Sequence, residues 1–166
     1  MGTKDLVPLL LEELGVNFHV EKVRMKPGKP FVFGTKDGGT ARRYVAGLPG
    51  NPVSAYITFV RFVGEIIARL SGRESGARFV TARTGRALQE NADREFYIPC
   101  ALRRESLQED NACVSGEWVA EPLTWKGSAD LFSLARAQGL VVRRAGDGAV
   151  EAGGMVRVLF LDDHDA

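Results

Sequence analysis

The stretch "GLPGNPVSA" (Gly47–Ala55) joins an apolar run to a helical pattern, and its reading decides how the first half of the chain is built. Asn51 is a favoured helix N-cap. Pro52 suits the first helical position, because that residue's N–H would have no intrahelical partner in any case. Downstream, Val53, Tyr56, Ile57, Val60, Val63, Ile66, Ile67 and Leu70 form a broad helical stripe that stops at Gly72. The spacing predicts one helix over residues 53–70, with the N–H groups of Val53, Ser54 and Ala55 directed outward at the positive end of its macrodipole. Gly50 has no side chain to block a close approach. Such a terminus is a ready anion site, although the same residues also build strand-to-helix turns that bind nothing.

Working outward, Thr3 can cap a first helix whose Leu6, Leu10 and Leu14 follow helical spacing, with Gly15 as its stop. "VNFHVEKVRM" (Val16–Met25) alternates like a strand, with Phe18, Val20 and Lys22 on one face and His19, Glu21 and Val23 on the other. "KPGKP" (Lys26–Pro30) is a turn that cannot continue a ladder, and "FVFG" and "RYVAGL" follow as short strands. Helix, strands and helix in this order predict an α/β layer, and loops at the carboxyl ends of parallel strands would converge on a ligand.

The small, polar segment "SGRESGAR" (71–78) is the candidate linker, which divides the chain into residues 1–74 and 75–166. Beyond it the pattern becomes short strands, "RFVTART", "EFYIPCAL", "CVSGEWVAEPL", "LVVRR" and "MVRVLFL", interrupted by one helix, "SADLFSLARAQ". The second half therefore reads as a small all-β barrel-like domain. Ser128 is expected to cap that helix, with Asp130 in its first turn and Gly139 as the stop.

Charge is unevenly placed. Residues 1–75 hold 11 Lys and Arg against 7 Asp and Glu, whereas residues 76–166 hold 11 against 14. The early excess suggests a basic site for a small anion, while the near-zero net charge and the lack of a basic aromatic platform argue against nucleic acid. Lys22, Lys26 and Lys29 bracket the rigid KPGKP turn, and a rigid turn loses less entropy on binding an oxyanion than a tail does. A solvated basic loop has the same appearance.

Cys100 and Cys113 have neither metal-ligand spacing nor the number needed for a disulfide framework. The carboxylates and His164 of "DDHDA" make poor chelating geometry, so no metal site is expected. His19 reads as an ordinary sheet residue, and Arg42–Arg43 and Arg103–Arg104 as solvated pairs. No catalytic residue can be assigned, since serine-triad, HExxH and GxGxxG patterns are all missing. No signal-peptide pattern or membrane-length apolar run is visible, which predicts a cytoplasmic protein without membrane contact.

Together, "KVRMKPGKPFVFG", "GLPGNPVSAYITF" and "KGSADLFSLARAQGLVV" closely resemble the molybdopterin molybdenumtransferase family, which includes the E domain of gephyrin. The likeness spans most of residues 3–157. It implies that residues 1–74 correspond to the latter part of an α/β molybdopterin-binding domain, and residues 75–166 to a C-terminal β-barrel-like domain. The implied reaction inserts molybdate into adenylylated molybdopterin, releasing AMP. By motif, Lys22 and Lys26 take the family's anion-handling positions with Lys29 adjacent, Pro49 and Pro52 its loop prolines, and Ser128 its barrel serine. Gly50, Asn51 and Ser54 complete the expected anion-binding set. Molybdate is a dianion and the pterin carries phosphate, so both suit lysines and a helix N-terminus.

Two departures qualify the likeness. "MGTKDLV" resembles the residues just after the family's Gly-Gly-Val-Ser segment, which implies a C-terminal fragment, inactive alone, whose Mg²⁺ ligands lie outside this chain. Ile98 stands where the family often carries an arginine, and this removes one expected anion contact. The parent is expected to be a homodimer. The alternative expectation is a non-enzymatic interaction module derived from the same family.

Overall fold

A computed structural model of the chain describes residues 6–74, 77–105, 108–109, 112–113, 116–127 and 129–161. The first half contains α1 (Leu6–Glu13), β1 (Asn17–Val20), β2 (Met25–Lys26), β3 (Val32–Asp37) and β4 (Arg42–Gly47). It continues with α2 (Pro52–Thr58), a π-helical turn (Phe59–Val63) and α3 (Gly64–Leu70). The second half contains β5 (Phe79–Thr84), β6 (Glu95–Glu105), β7 (Gln108–Glu109), β8 (Ala112–Cys113), β9 (Glu117–Pro122), α4 (Leu131–Ala135), β10 (Gly139–Arg143) and β11 (Met155–Phe160).

The expected architecture is present: a layer of sheet and helices, then a small barrel. Strands β1, β3 and β4 form one sheet in that order. Both of its pairings are antiparallel, so the rule for carboxyl ends of parallel strands does not locate a site here. Strands β10-β11-β5-β9-β6 form the barrel, which closes by pairing β6 with β10 and so leaves no free edge between them. Strand β10 shows why its sequence is continuously apolar. Leu140 and Val142 enter one core cluster while Val141 enters the other, so both faces are buried.

The strand expected over Val16–Met25 is split. It ends at Val20, and the Val23 amide bonds to the Lys29 carbonyl at 3.1 Å, closing a loop. The chain resumes as β2, which pairs in parallel with β6 through Met25↔Glu95 and Lys26↔Phe96. The KPGKP turn is thus stitched to the barrel, a partner some seventy residues away in sequence.

The helix expected over 53–70 is present but contains the π-helical turn, a rarity that changes which way each following side chain points. Two expectations for the barrel helix are corrected. Asp130 is the N-cap of α4, its carboxylate accepting from the Ser133 amide at 3.0 Å, while Ser128 lies outside the described residues. Gly139 does not stop that helix; it opens β10, where a β-carbon would meet Val158 Cγ1 at 2.7 Å and Leu102 Cδ1 at 2.9 Å. Barrel packing, not helix termination, demands the glycine.

One cluster joins the two halves. Met25 of β2, Val53 and Ile57 of α2, Tyr97 of β6, Leu134 of α4, and Leu140, Val142 and Leu159 of the barrel form a single buried core. His19 shares a 2.8 Å hydrogen bond with Thr35 across the first sheet, as suits an ordinary sheet residue. No helix among the described residues is long and apolar enough to cross a membrane.

Candidate functional site

The Asn51 side chain accepts from the Ser54 amide at 3.4 Å, and its carbonyl accepts from the Ala55 amide at 2.8 Å. Two of the three amides expected to face a ligand therefore already have partners within the chain. Pro52 occupies the first turn and is exposed, and Gly50 is exposed with nothing within 4 Å of a built β-carbon. Pro49 is buried, and Ser54 is only 5% exposed. Close approach is open at Gly50 and Pro52; Pro49 and Ser54 support the loop from within.

The lysine turn lies directly against this helix. Pro27 and Gly28 are buried, whereas Lys22, Lys26 and Lys29 are exposed around them. Gly28 has φ of 121°, which disfavours a side chain, and a β-carbon there would stand 2.6 Å from Thr58 Cγ2 and 3.1 Å from Met25 Sδ. Thr58 faces inward because its hydroxyl donates to the Ser54 carbonyl at 2.8 Å. The opposite side of the turn meets the barrel. The Lys26 ammonium sits over the Phe96 ring, 5.1 Å from its centroid, and Phe96 in turn lies 6.1 Å from Trp125.

The three motif segments therefore meet around residues 25–28. The lysine turn contacts the LPGNP helix on one side and Phe96 on the other, with Trp125 just before "KGSADLF". A cleft of about 410 Å³ opens beside Phe96, lined also by Ile98, Leu88, Leu123, Trp125 and Arg86. Ile98 contributes an apolar wall, so no arginine comes from that position.

A second network fixes these parts, and nothing in the sequence marked it. Tyr97 is fully buried; its hydroxyl donates to the Glu95 carboxylate and accepts from Arg61 Nε at 2.9 Å. Burial, reinforced by Glu95, pushes the Tyr97 hydroxyl well above the ordinary phenol range. Arg61 lies in the π-helical turn, and Glu95 is the residue paired with Met25. The network thus ties the helix that begins at Asn51 to β6, the strand that pairs with the short β2 carrying Lys26. Only the short strand "EFYIPCAL" that contains Tyr97 was legible beforehand.

Elsewhere the barrel exterior pairs arginines with rings: Arg104 over Trp118, Arg78 over Phe160 and Arg157 over Phe79. Arg143 is a buried structural cation, donating to the carbonyls of Gln89, Asp147 and Gly148 and lying 3.5 Å from the Asp147 carboxylate. Cys100 is buried, and its thiol is pushed up to about 12, so it stays protonated and inert. Among the described residues no group of three or more His, Cys, Asp or Glu could hold a metal ion.

Residues 81–161 match the family described as the MoeA C-terminal region (domain IV), and residues 1–69 match the family described as "Probable molybdopterin binding domain". The chain belongs to the MoeA family, whose C-terminal portion it matches. It is 33% identical to a molybdopterin molybdenumtransferase of Nostoc sp., aligning 97% of this chain with 35% of that protein. It is 31% identical to gephyrin of Dictyostelium discoideum over 97% of this chain and 24% of that one. The solved MoeA protein of Pyrococcus horikosii superposes with a TM-score of 0.71 at 27% identity, covering 95% of this chain and 35% of that chain. The chain thus spans about a third of the length of the first of these relatives.

Proposed function

We propose that this chain forms the C-terminal part of a molybdopterin molybdenumtransferase, acting in molybdenum cofactor biosynthesis by helping insert molybdate into adenylylated molybdopterin. The observation that carries the reading is the meeting of three motif segments at one core cluster. Residues 1–74 would complete the molybdopterin-binding layer and residues 75–166 the barrel.

Within that site Lys22, Lys26 and Lys29 supply positive charge on a rigid turn, where a dianion gains Coulomb attraction at low ordering cost. Gly50 permits backbone approach beside the exposed Pro52, Asn51 fixes the helix start, and Pro49 and Ser54 hold the loop in place. Ser128 is the barrel's contribution by motif. These residues bind and orient; none is a general acid or base, so the chain alone should form no cofactor. The parent is taken to be a cytoplasmic homodimer that uses Mg²⁺. The described residues of this chain do not offer a donor set for that ion, and no step is assigned to it.

The test is a chimera in which this chain replaces the last third of the Nostoc enzyme. It should restore molybdenum cofactor synthesis in cells lacking their own transferase. A folded, soluble chimera that restores nothing overturns the reading, as would cofactor formation by the isolated chain from adenylylated molybdopterin, molybdate and Mg²⁺.

One observation favours a second reading, an interaction module. Helix α1 has no buried residue, and Leu6, Val7, Leu9, Leu10 and Leu14 are between 47% and 60% exposed. Such an apolar face drives association. A clean monomer at high concentration by light scattering would count against this reading.

A further inference from the structure

We infer that Tyr97 is a positioning residue: its buried hydroxyl, shared between Arg61 and Glu95, fixes where the lysine turn sets Lys26. The inference rests on the reading above for what Lys26 attracts, while its geometry stands on the fold alone.

A hydroxyl at this place needs a reason. Tyr97 is fully buried in the cluster with Met25, Val53, Ile57, Leu134 and Leu140. A phenylalanine would fill that space equally, with no polar atom to desolvate. The hydroxyl is satisfied on both sides, donating to Glu95 and accepting from Arg61 Nε at 2.9 Å. A fully satisfied buried network specifies one arrangement of the elements it joins.

Those elements form a closed circuit around the lysine turn. On one side Gly28 packs against Thr58, with no room for a side chain between them. Three residues further on, in the π-helical turn, Arg61 begins the link to Tyr97. Such turns inside α-helices recur at functional sites. Glu95 completes the circuit: it pairs with Met25 of β2, and its amide donates to the Arg24 carbonyl at 3.0 Å. Arg24 Nη2 donates in turn to the Asp93 carbonyl at 2.7 Å. With the circuit broken at Tyr97, the turn keeps its helix contact through Gly28, but the helix no longer holds the start of β6.

Strand alternation carries the effect to the charged side. Met25 faces the core with Tyr97, so Lys26, the next residue of β2, emerges on the opposite face. There its ammonium lies 5.1 Å from the Phe96 centroid. A strand of two residues has few ladder bonds of its own to hold that position.

Tyr97→Phe keeps the ring and removes the oxygen. The readout is the Lys26 ε-methylene resonance in protein carrying isotope-labelled lysine, which is displaced upfield while it sits over Phe96. The chain has six lysines, and Lys26→Arg identifies the signal. In folded Tyr97→Phe the signal should move toward the position of an exposed lysine. In the Nostoc chimera the same variant should need about threefold more molybdate for half-maximal cofactor formation, the change expected when an ammonium shifts about 2 Å from a dianion in water. The maximal rate should stay the same. Glu95→Gln keeps an acceptor for the hydroxyl and should leave the resonance in place, whereas Glu95→Ala should behave like Tyr97→Phe.

A folded Tyr97→Phe with an unmoved Lys26 signal overturns the inference, however much stability it loses, because a purely structural hydroxyl leaves the turn where it was. Equal displacement by Glu95→Gln and Glu95→Ala overturns it too, as does a lower maximal rate at unchanged half-maximal molybdate. Should Tyr97→Phe fail to fold, the two variants at half-buried Glu95 decide alone. The resonance needs neither molybdate nor a partner domain, so a chimera that forms no cofactor defeats the function while the Lys26 signal still decides the positioning.

Discussion

A β-carbon built on Gly28 stands 2.6 Å from Cγ2 of Thr58, so the lysine turn and the LPGNP helix touch with no room for a side chain between them. The contact holds the basic turn at a fixed distance from the helix start. Gly28→Ala adds this clash to a φ of 121°, and the cost should exceed about 1 kcal/mol. Urea denaturation measures it. Thr58→Ser removes the obstructing methyl while keeping the hydroxyl bond to Ser54, so Gly28→Ala with Thr58→Ser should recover part of the loss.

Asn51 caps α2 by accepting from the Ser54 amide. Asn51→Ala should therefore lower stability by about 1 kcal/mol. An unchanged denaturation midpoint would show that the cap carries no weight.

Tyr97→Phe leaves Arg61 Nε and the Glu95 carboxylate without their shared partner, although the ring still fills its place in the core. The cost of such unpaired groups is about 1–3 kcal/mol. Because the network joins the helix to β6, the same substitution should also move the Trp125 indole resonance.

Asp130 and Cys100 each contribute to one pH limb. Amide bonds from Ser133 and Lys126 lower the Asp130 carboxyl below its ordinary 3.8. Its stabilising share is complete above pH 3.8 and is lost as pH falls through the lower folded value. Asp130→Asn should flatten this acid limb in urea titrations. Burial raises Cys100 from 9.0 to about 12, so its share is complete below pH 9.0 and lost on the way up to about 12. Cys100→Ala should flatten the alkaline limb, and Cys100 should resist thiol reagents until the chain unfolds.

Much of the fold was readable because local signals carried it. The cap at Asn51, the proline beside it and the stripe from Val53 to Leu70 marked the long helix, and short strand-like runs separated by turns marked β5, β6 and β11. What escaped depended on distant partners. The break after Val20 follows from a loop bond between Val23 and Lys29 and from pairing of Met25 and Lys26 with Glu95 and Phe96, which spacing cannot reveal. The π-helical turn hid inside an unbroken apolar stripe. Gly139 looked like a helix stop because a glycine fixed by barrel packing has the same letter as one fixed by a turn.

The candidate site was legible as motifs but not as chemistry. The lysines and the LPGNP segment stood out in the sequence. Phe96, inside a strand, and Trp125, in the irregular segment after β9, did not, since an aromatic side chain in a barrel domain usually signals burial. The helix terminus also proved less vacant than its residues suggested, because Asn51 itself engages the amides of Ser54 and Ala55.

The most direct measurement is cofactor formation by the Nostoc chimera at graded molybdate concentrations, with Lys26 intact and as Lys26→Ala. The account predicts a folded variant that needs about tenfold more molybdate for half-maximal formation. Identical molybdate dependence in the two proteins would contradict it.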